Sequence, residues 1–295
     1  MKEPELYDDD GRVAGESHDS PLLLERLHRA LARWNTRRLR AEHPTVRWRD
    51  EIEDDLRMRS LEGEWIEAER AALRPWTRDV PRGSTGFQHW FEALVDDGRP
   101  PPPEVLDPLA ERATLSEARW WMRQELAAQA GVDALVSLTR LRMPDVPGIA
   151  PAAAANETRR LVRLGHALGA EGTANVVWES LAVSNLVVGF ALNRRYGWHA
   201  VGALGAVALT APVRMERMRR ALVRLGLAVV EEDRVGAGDE TGAWIREVLV
   251  PQVAEDAERA PLVAEGALLW LRGAVRCSRR CRGELVVAGP DAGVH

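Results

Sequence analysis

The sequence predicts an all-α protein, and three observations carry that expectation. Apolar residues return at helical intervals in segment after segment, capping and breaking residues bracket those segments, and no alternating apolar–polar run of useful length interrupts them. Roughly eight to ten helices are expected. The first runs through "SPLLLERLHRALARWNTRRLRAEHP": Ser20 suits the N-cap, Pro21 the first helical position, and Pro44 closes the segment. A second fills "DEIEDDLRMRSLEGEWIEAERAALRPW", with Leu56, Leu61, Trp65, Ile66 and Leu73 at helical spacing. "QHWFEALV" is a short third helix, followed by the stiff polyproline connector "RPPPP".

The helical pattern resumes at Leu106. "SEARWWMRQELAAQAGVDALVSLTRLRM" reads as one long amphipathic body with Ser116 as its N-cap, and "MPDVPGIAPAAAANE" as a Pro/Gly break. "NETRRLVRLGHALG" is a short helix ended near Gly169. "GTANVVWESLAVSNLVVGFALNRR" is apolar nearly all round, the pattern of a central buried helix. "GWHAVGALGAVALTAPVRMERMRRALVRLG" reads as a small-residue helix stopped at Ala211-Pro212, then a basic helix. Two more complete the set within "TGAWIREVLVPQVAEDAERAPLVAEGALLWLRGAVRCSRRCRGEL". The expected organisation is an acidic, disordered tail over 1–19, one helical domain over 20–285 and a short tail over 286–295.

Bulk properties narrow the function classes. The 295 residues carry a net charge of −5, which argues against a nucleic-acid surface, because phosphate neutralisation needs clustered excess base. Lys2 is the only lysine among 40 basic residues, an arginine bias expected of a GC-rich bacterial genome. The amino terminus lacks the apolar stretch of a signal peptide, and no apolar run is long enough for a membrane span, so a cytoplasmic location is expected. Cys277 and Cys281, the only cysteines, lie i, i+4 on a helix. They are expected as two reduced, structural thiols rather than as half of a zinc site.

The order of elements becomes specific in the second half. "LNRRYGWHAVGALGAVALTAPVRMERMRRALVRLGL…DETGAWIREVLVP" resembles the carboxy-terminal half of the bacterial iron-containing redox enzymes, the heme-oxygenase-like diiron oxidases. "SEARWWMRQEL" is similar to that family's first core helix. The resemblance spans roughly residues 45 to 285 and implies a heme-oxygenase-like helical bundle, commonly dimeric, that performs oxygen-dependent oxidations in natural-product pathways. It also implies two irons held between facing helices by carboxylates and imidazoles.

Carried over position by position, most of those ligands are missing. The Glu of the first core helix falls on Glu125. The next falls in the Pro/Gly break near Asp145 or Pro147, the family's histidine on Glu157, and the Glu of "E-x-T-x-P" on Ala208. The last ligand helix, His-x3-Asp-x2-His in the family, reads Val235, Asp239 and Gly242. No register shift restores the imidazoles, because no histidine lies between 200 and 294. Asp239 is therefore either the surviving ligand of a lost centre or a helix N-cap.

Candidate metal ligands are accordingly Glu125, Glu157 and Asp239, with His166 as a further possibility. Candidate catalytic residues are Glu125, Glu179 and Asp239. Glu179 interrupts an apolar helix, where an ionised carboxylate is costly unless paired or protonated, and reads either as a buried ion pair with an arginine or as an active-site acid. His199, at a helix start, is expected as a cap or an exposed group, and His166 as a partly buried imidazole. His89 and Glu92 are expected on a solvated face, and the eleven tryptophans as packing anchors or the lining of a flat pocket.

Three readings compete on these grounds, the last being a helical protein whose likeness to the family is misleading. In the first the chain is a degenerate diiron oxidase homologue with no cofactor, serving as a binding or partner subunit in a homodimer or beside an active paralogue. In the second it is an oxidase with an atypical iron or metal-free site, acting on a small molecule or peptide.

Overall fold

The computed structural model describes residues 21–39, 48–96, 114–142, 152–170, 175–226 and 243–287. Among these residues there are ten α-helices and no strand, so the protein is all-α as its periodicity predicts. In chain order they are α1 (Pro21–Leu39), α2 (Trp48–Thr77), α3 (Ser84–Asp96), α4 (Leu115–Gln129), α5 (Val132–Arg142), α6 (Ala152–Leu168), α7 (Trp178–Leu192), α8 (Gly197–Arg224), α9 (Val250–Glu255) and α10 (Arg259–Val287). A 3₁₀ turn, Arg194–Tyr196, joins α7 to α8, and a π turn, Ile245–Leu249, runs into α9. The expected tail over 1–19, the helix start at Leu106 and Asp239 lie outside the described residues.

Helix α7 is the axle. Its apolar residues face every direction, and it packs against α1, α4, α5, α8 and α10. The most extensive pairing is α8 with α10, and glycine makes it possible. A Cβ on Gly202 would stand 1.9 Å from the Val263 carbonyl oxygen, and one on Gly266 would stand 2.0 Å from that of His199. The two backbones therefore touch at two points where only hydrogen fits. Around this crossing one large apolar cluster joins α2 through α10, and a satellite of Leu31, Trp34 and Met58 binds α1 to α2.

Local chemistry corrects three sequence expectations. The N-cap of α4 is Thr114 rather than Ser116: its hydroxyl accepts from Glu117 N while the Glu117 carboxylate accepts from Thr114 N. The long body after it is two helices, parted at Ala130–Gly131, where α7 lies so close that a Cβ on Gly131 would meet Val188 Cγ2 at 2.8 Å and Ser184 O at 3.0 Å. Conversely, α8 does not stop at Ala211-Pro212 but continues through Pro212 to Arg224. Proline removes one ladder donor there, and burial of the small-residue face against α10 outweighs a cost of about 3 kcal/mol. Helix α6 does end as expected: Gly169, at φ +63°, donates to His166 O while Ala170 donates to Gly165 O.

Candidate functional site

Small side chains open a cavity among the described residues. Ala68 and Ala72, one turn apart on α2, meet Ala182 of α7 and Gly273 of α10, and their small size leaves a pocket of about 490 Å³ bounded by α1, α2, α7 and α10. That volume suits a small organic ligand.

One wall is aromatic. His28 of α1 stacks on Trp178 of α7, with ring centroids 5.3 Å apart and planes 8° from parallel, and meets the Trp65 ring edge-on at 4.7 Å. Each ring is held from behind. The fully buried Gln124 donates to Asn175 O and accepts from Val177 N and Ser180 Oγ, which fixes the start of α7 and with it Trp178 and Glu179. Asn185 donates to His28 O at 3.0 Å, its Nδ2 lies 3.4 Å from His28 Nδ1, and it accepts from Asn35. Arg29 reaches Val176 O from α1.

The rest of the lining includes a charged cluster. Arg272, Arg276, Arg279 and Arg280 recur on one face of α10 and line the pocket with Glu69 and Glu179. Glu69 accepts from Arg276 at 2.8 Å and lies 3.7 Å from the buried Arg272 guanidinium. Glu179 lies 3.7 Å from Arg280, and its Oε2 has no hydrogen-bond partner among the described residues. Burial pushes the Glu179 carboxyl above the ordinary carboxylate range, more than Arg280 pulls it down. Of the two readings given for Glu179, the structure supports parts of both: an arginine is close, and the acid faces a cavity.

Burial also lowers the His28 pKa from 6.5 to about 4, against the opposing pull of Glu69 and with the help of Arg276. A folded-state pKa below the unfolded one means that between these values the unfolded chain binds the extra proton, so stability rises with pH. His28 should therefore withdraw about 3 kcal/mol as pH falls from about 6.5 to about 4. Urea unfolding across that range should show a shallower pH dependence in His28→Asn than in the parent. An unchanged slope would refute it. Burial of His199 acts in the same direction, and the raised Glu62 and Glu179 oppose it, but all three remain in the variant.

No protein-family model, curated protein or solved structure matches this chain. The site must be judged on its own chemistry.

Glu125, the one first-helix ligand implied by the family resemblance, is not in the pocket. It is buried on α4 and hydrogen-bonded to Arg214 of α8. Arg214 lies 5.6 Å from the Trp270 ring centroid, and Gln129, with its amide turned so that the oxygen faces it, accepts from both Nη atoms. The void beside the pair is about 10 Å³, at the limit for one water. A guanidinium thus already compensates the Glu125 carboxylate. This donor set does not fit a diiron centre, and among the described residues no three carboxylate, imidazole or thiol groups gather to hold a metal.

The other predicted residues disperse. Glu157 is on α6, but its side chain, like all of Asp239, lies outside the described residues. His166 is exposed on α6 rather than partly buried, because it falls on the face away from α4 and α8. His199 is the reverse, buried rather than a cap: its Nε2 pairs with Glu265 of α10 at 3.0 Å. That contact belongs to a network in which Arg70 bridges Glu265 and Glu67, and Tyr196 donates to Glu67. Burial and the Glu67 hydrogen bond push Tyr196 up to about 12. Burial opposes it, yet the His199 and Arg70 hydrogen bonds hold Glu265 below the usual carboxylate range.

Cys277 and Cys281 are buried and reduced, as expected, with Cys277 Sγ 3.2 Å from Ser180 Oγ. The hydrogen bond to Cys277, with burial, pushes the Cys281 thiol far up and away from thiolate chemistry. His89 is exposed, and Glu92 accepts from Gln88. Sequence reasoning passed over His28, Glu69 and the α10 arginines. The spacing of Arg272, Arg276 and Arg280 was a visible signal for the last of these, whereas nothing local marks His28.

Proposed function

We propose that the chain is a small-molecule-binding helical bundle, a relative of the heme-oxygenase-like diiron oxidases that has lost their metal centre and serves as a binding or partner subunit. The observation that carries the reading is the pairing of Glu125 with Arg214. A buried carboxylate compensated by a fixed guanidinium has no charge left to offer iron, while a separate cavity of about 490 Å³ is built and lined for an organic ligand. No helix among the described residues is long and apolar enough to cross a membrane.

Anaerobic Fe(II) titration of the full chain, Glu157 and Asp239 included, is the test. The expected result is less than about 0.2 iron per chain, because carboxylates without convergent imidazoles hold Fe(II) weakly. Two irons per chain at micromolar affinity, with oxygen-dependent absorbance, would sink the proposal.

Glu179 favours a second reading, a metal-free catalyst acting on the pocket's ligand. Its carboxyl is buried, raised in pKa and aimed into a cavity, which are properties of a general acid. Glu179→Gln separates the two: it removes turnover if the acid reacts, and leaves ligand binding in place if it does not.

A further inference from the structure

The pocket's two walls differ in kind, and together they specify what fits. On one side, His28 and Trp178 are already stacked too closely to admit a ring between them, so a ligand lies against the pair and against Trp65. Hydrogen bonds fix His28 and the start of α7, and Trp65 packs against both apolar clusters. Such a wall recognises a flat π-system through stacking, with little ordering left to do on binding.

Elsewhere in the lining, four guanidinium groups stand against Glu69 and Glu179, and Glu284 pairs with Arg280 at 2.6 Å. One of those carboxylates, Glu179, is disfavoured as an anion by its burial, which leaves the charge balance of the pocket positive. Arginine forks bind planar oxyanions with two parallel hydrogen bonds, and a half-enclosed pocket screens them less than open water does. The aliphatic floor between the walls, from Ala68, Ala72, Ala182, Leu186 and Leu269, offers nothing to a second charge or a run of hydroxyls.

Resting on the reading of this cavity as a ligand site, we propose that it takes a planar aromatic molecule bearing a single anionic group, its ring against the His28–Trp178 pair and its anion toward the arginine row of α10. Sugars bring hydroxyls that the apolar floor leaves unpaired, and polyphosphates carry more charge than that floor accepts. The Glu179 carboxyl, where protonated, adds a hydrogen-bond donor for an oxygen on the same ligand.

The experiment compares 2-naphthoate with its neutral isostere 2-naphthamide by calorimetry at pH 7.5, on the full chain, on Ala72→Phe and on Arg276→Gln/Arg280→Gln. The first variant fills the cavity, and the second strips charge from its rim. Naphthoate should bind the parent about tenfold or more tighter than naphthamide, one charge-assisted contact being worth at least that factor. Ala72→Phe should abolish both, and the arginine variant should bring the two probes to within about twofold of each other.

Equal affinity of the parent for both probes, or preference for the amide, overturns the anion inference and leaves the ligand site standing. Binding of neither probe, or undiminished binding by Ala72→Phe, overturns the site itself and the inference with it. Should the arginine variant fail to fold, the comparison on the parent decides alone.

Discussion

Gly266→Ala should cost about 3 kcal/mol or more, and the pair Gly202→Ala/Gly266→Ala should leave no cooperative fold. The reason lies in what a methyl group would strike. At Gly266 it would stand 2.0 Å from His199 O and 2.6 Å from His199 Cα, and at Gly202 it would stand 1.9 Å from Val263 O and 3.0 Å from Val263 Cα. These are backbone atoms of two long helices, with no side chain to swing aside, so the helices themselves must part. Parting them loosens the crossing on which the main core rests, including Ala203, Val207, Val263 and Ala267. Gly63→Ala is the internal control: nothing lies within 4 Å of its Cβ, so α2 should gain about 0.5–1 kcal/mol from the better helix former. Urea unfolding of all three variants checks this. A loss below about 1 kcal/mol at Gly266 would mean that the helices are not in backbone contact.

Arg214→Met should be nearly as damaging. It leaves Glu125 buried without its counter-charge, a loss of about 3–5 kcal/mol. Glu125→Gln alone strands the guanidinium on the other side. The double variant Glu125→Gln/Arg214→Met removes both charges and should recover much of that loss, with a coupling energy of about 2 kcal/mol. Two single losses that simply add would show that the pair is not a unit. The cycle also bears on the proposed loss of a metal centre, because freeing Glu125 by Arg214→Met alone should confer no iron binding when Ala208 and Gly242 offer no ligands.

Helix spacing was legible wherever the restraint is local. The apolar repeat of α2, the all-round apolar character of α7 and the glycine stop of α6 each follow from neighbours along the chain. Expectations failed where a distant element intervened. The α4–α5 break falls where α7 lies against Gly131, and the passage of α8 through Pro212 depends on α10. His199 was misjudged for the same reason, since the acceptor that buries it, Glu265, lies 66 residues away.

The candidate site divides along the same line. Periodicity shows that Arg272, Arg276 and Arg280 share a face of one helix, and a carboxylate inside an apolar run singles out Glu179 from the sequence alone. The sequence by itself thus determined the all-α class and the shortage of imidazole in the carboxy-terminal half, because both depend only on residue type and spacing. Only the tertiary structure decided that Glu125 meets Arg214, and that His28, Trp65 and Trp178 form one wall of a pocket that the α10 arginines also line. Those partners sit on different helices, and the angle at which packed helices cross, unlike the period within each, is set by how all their faces fit together.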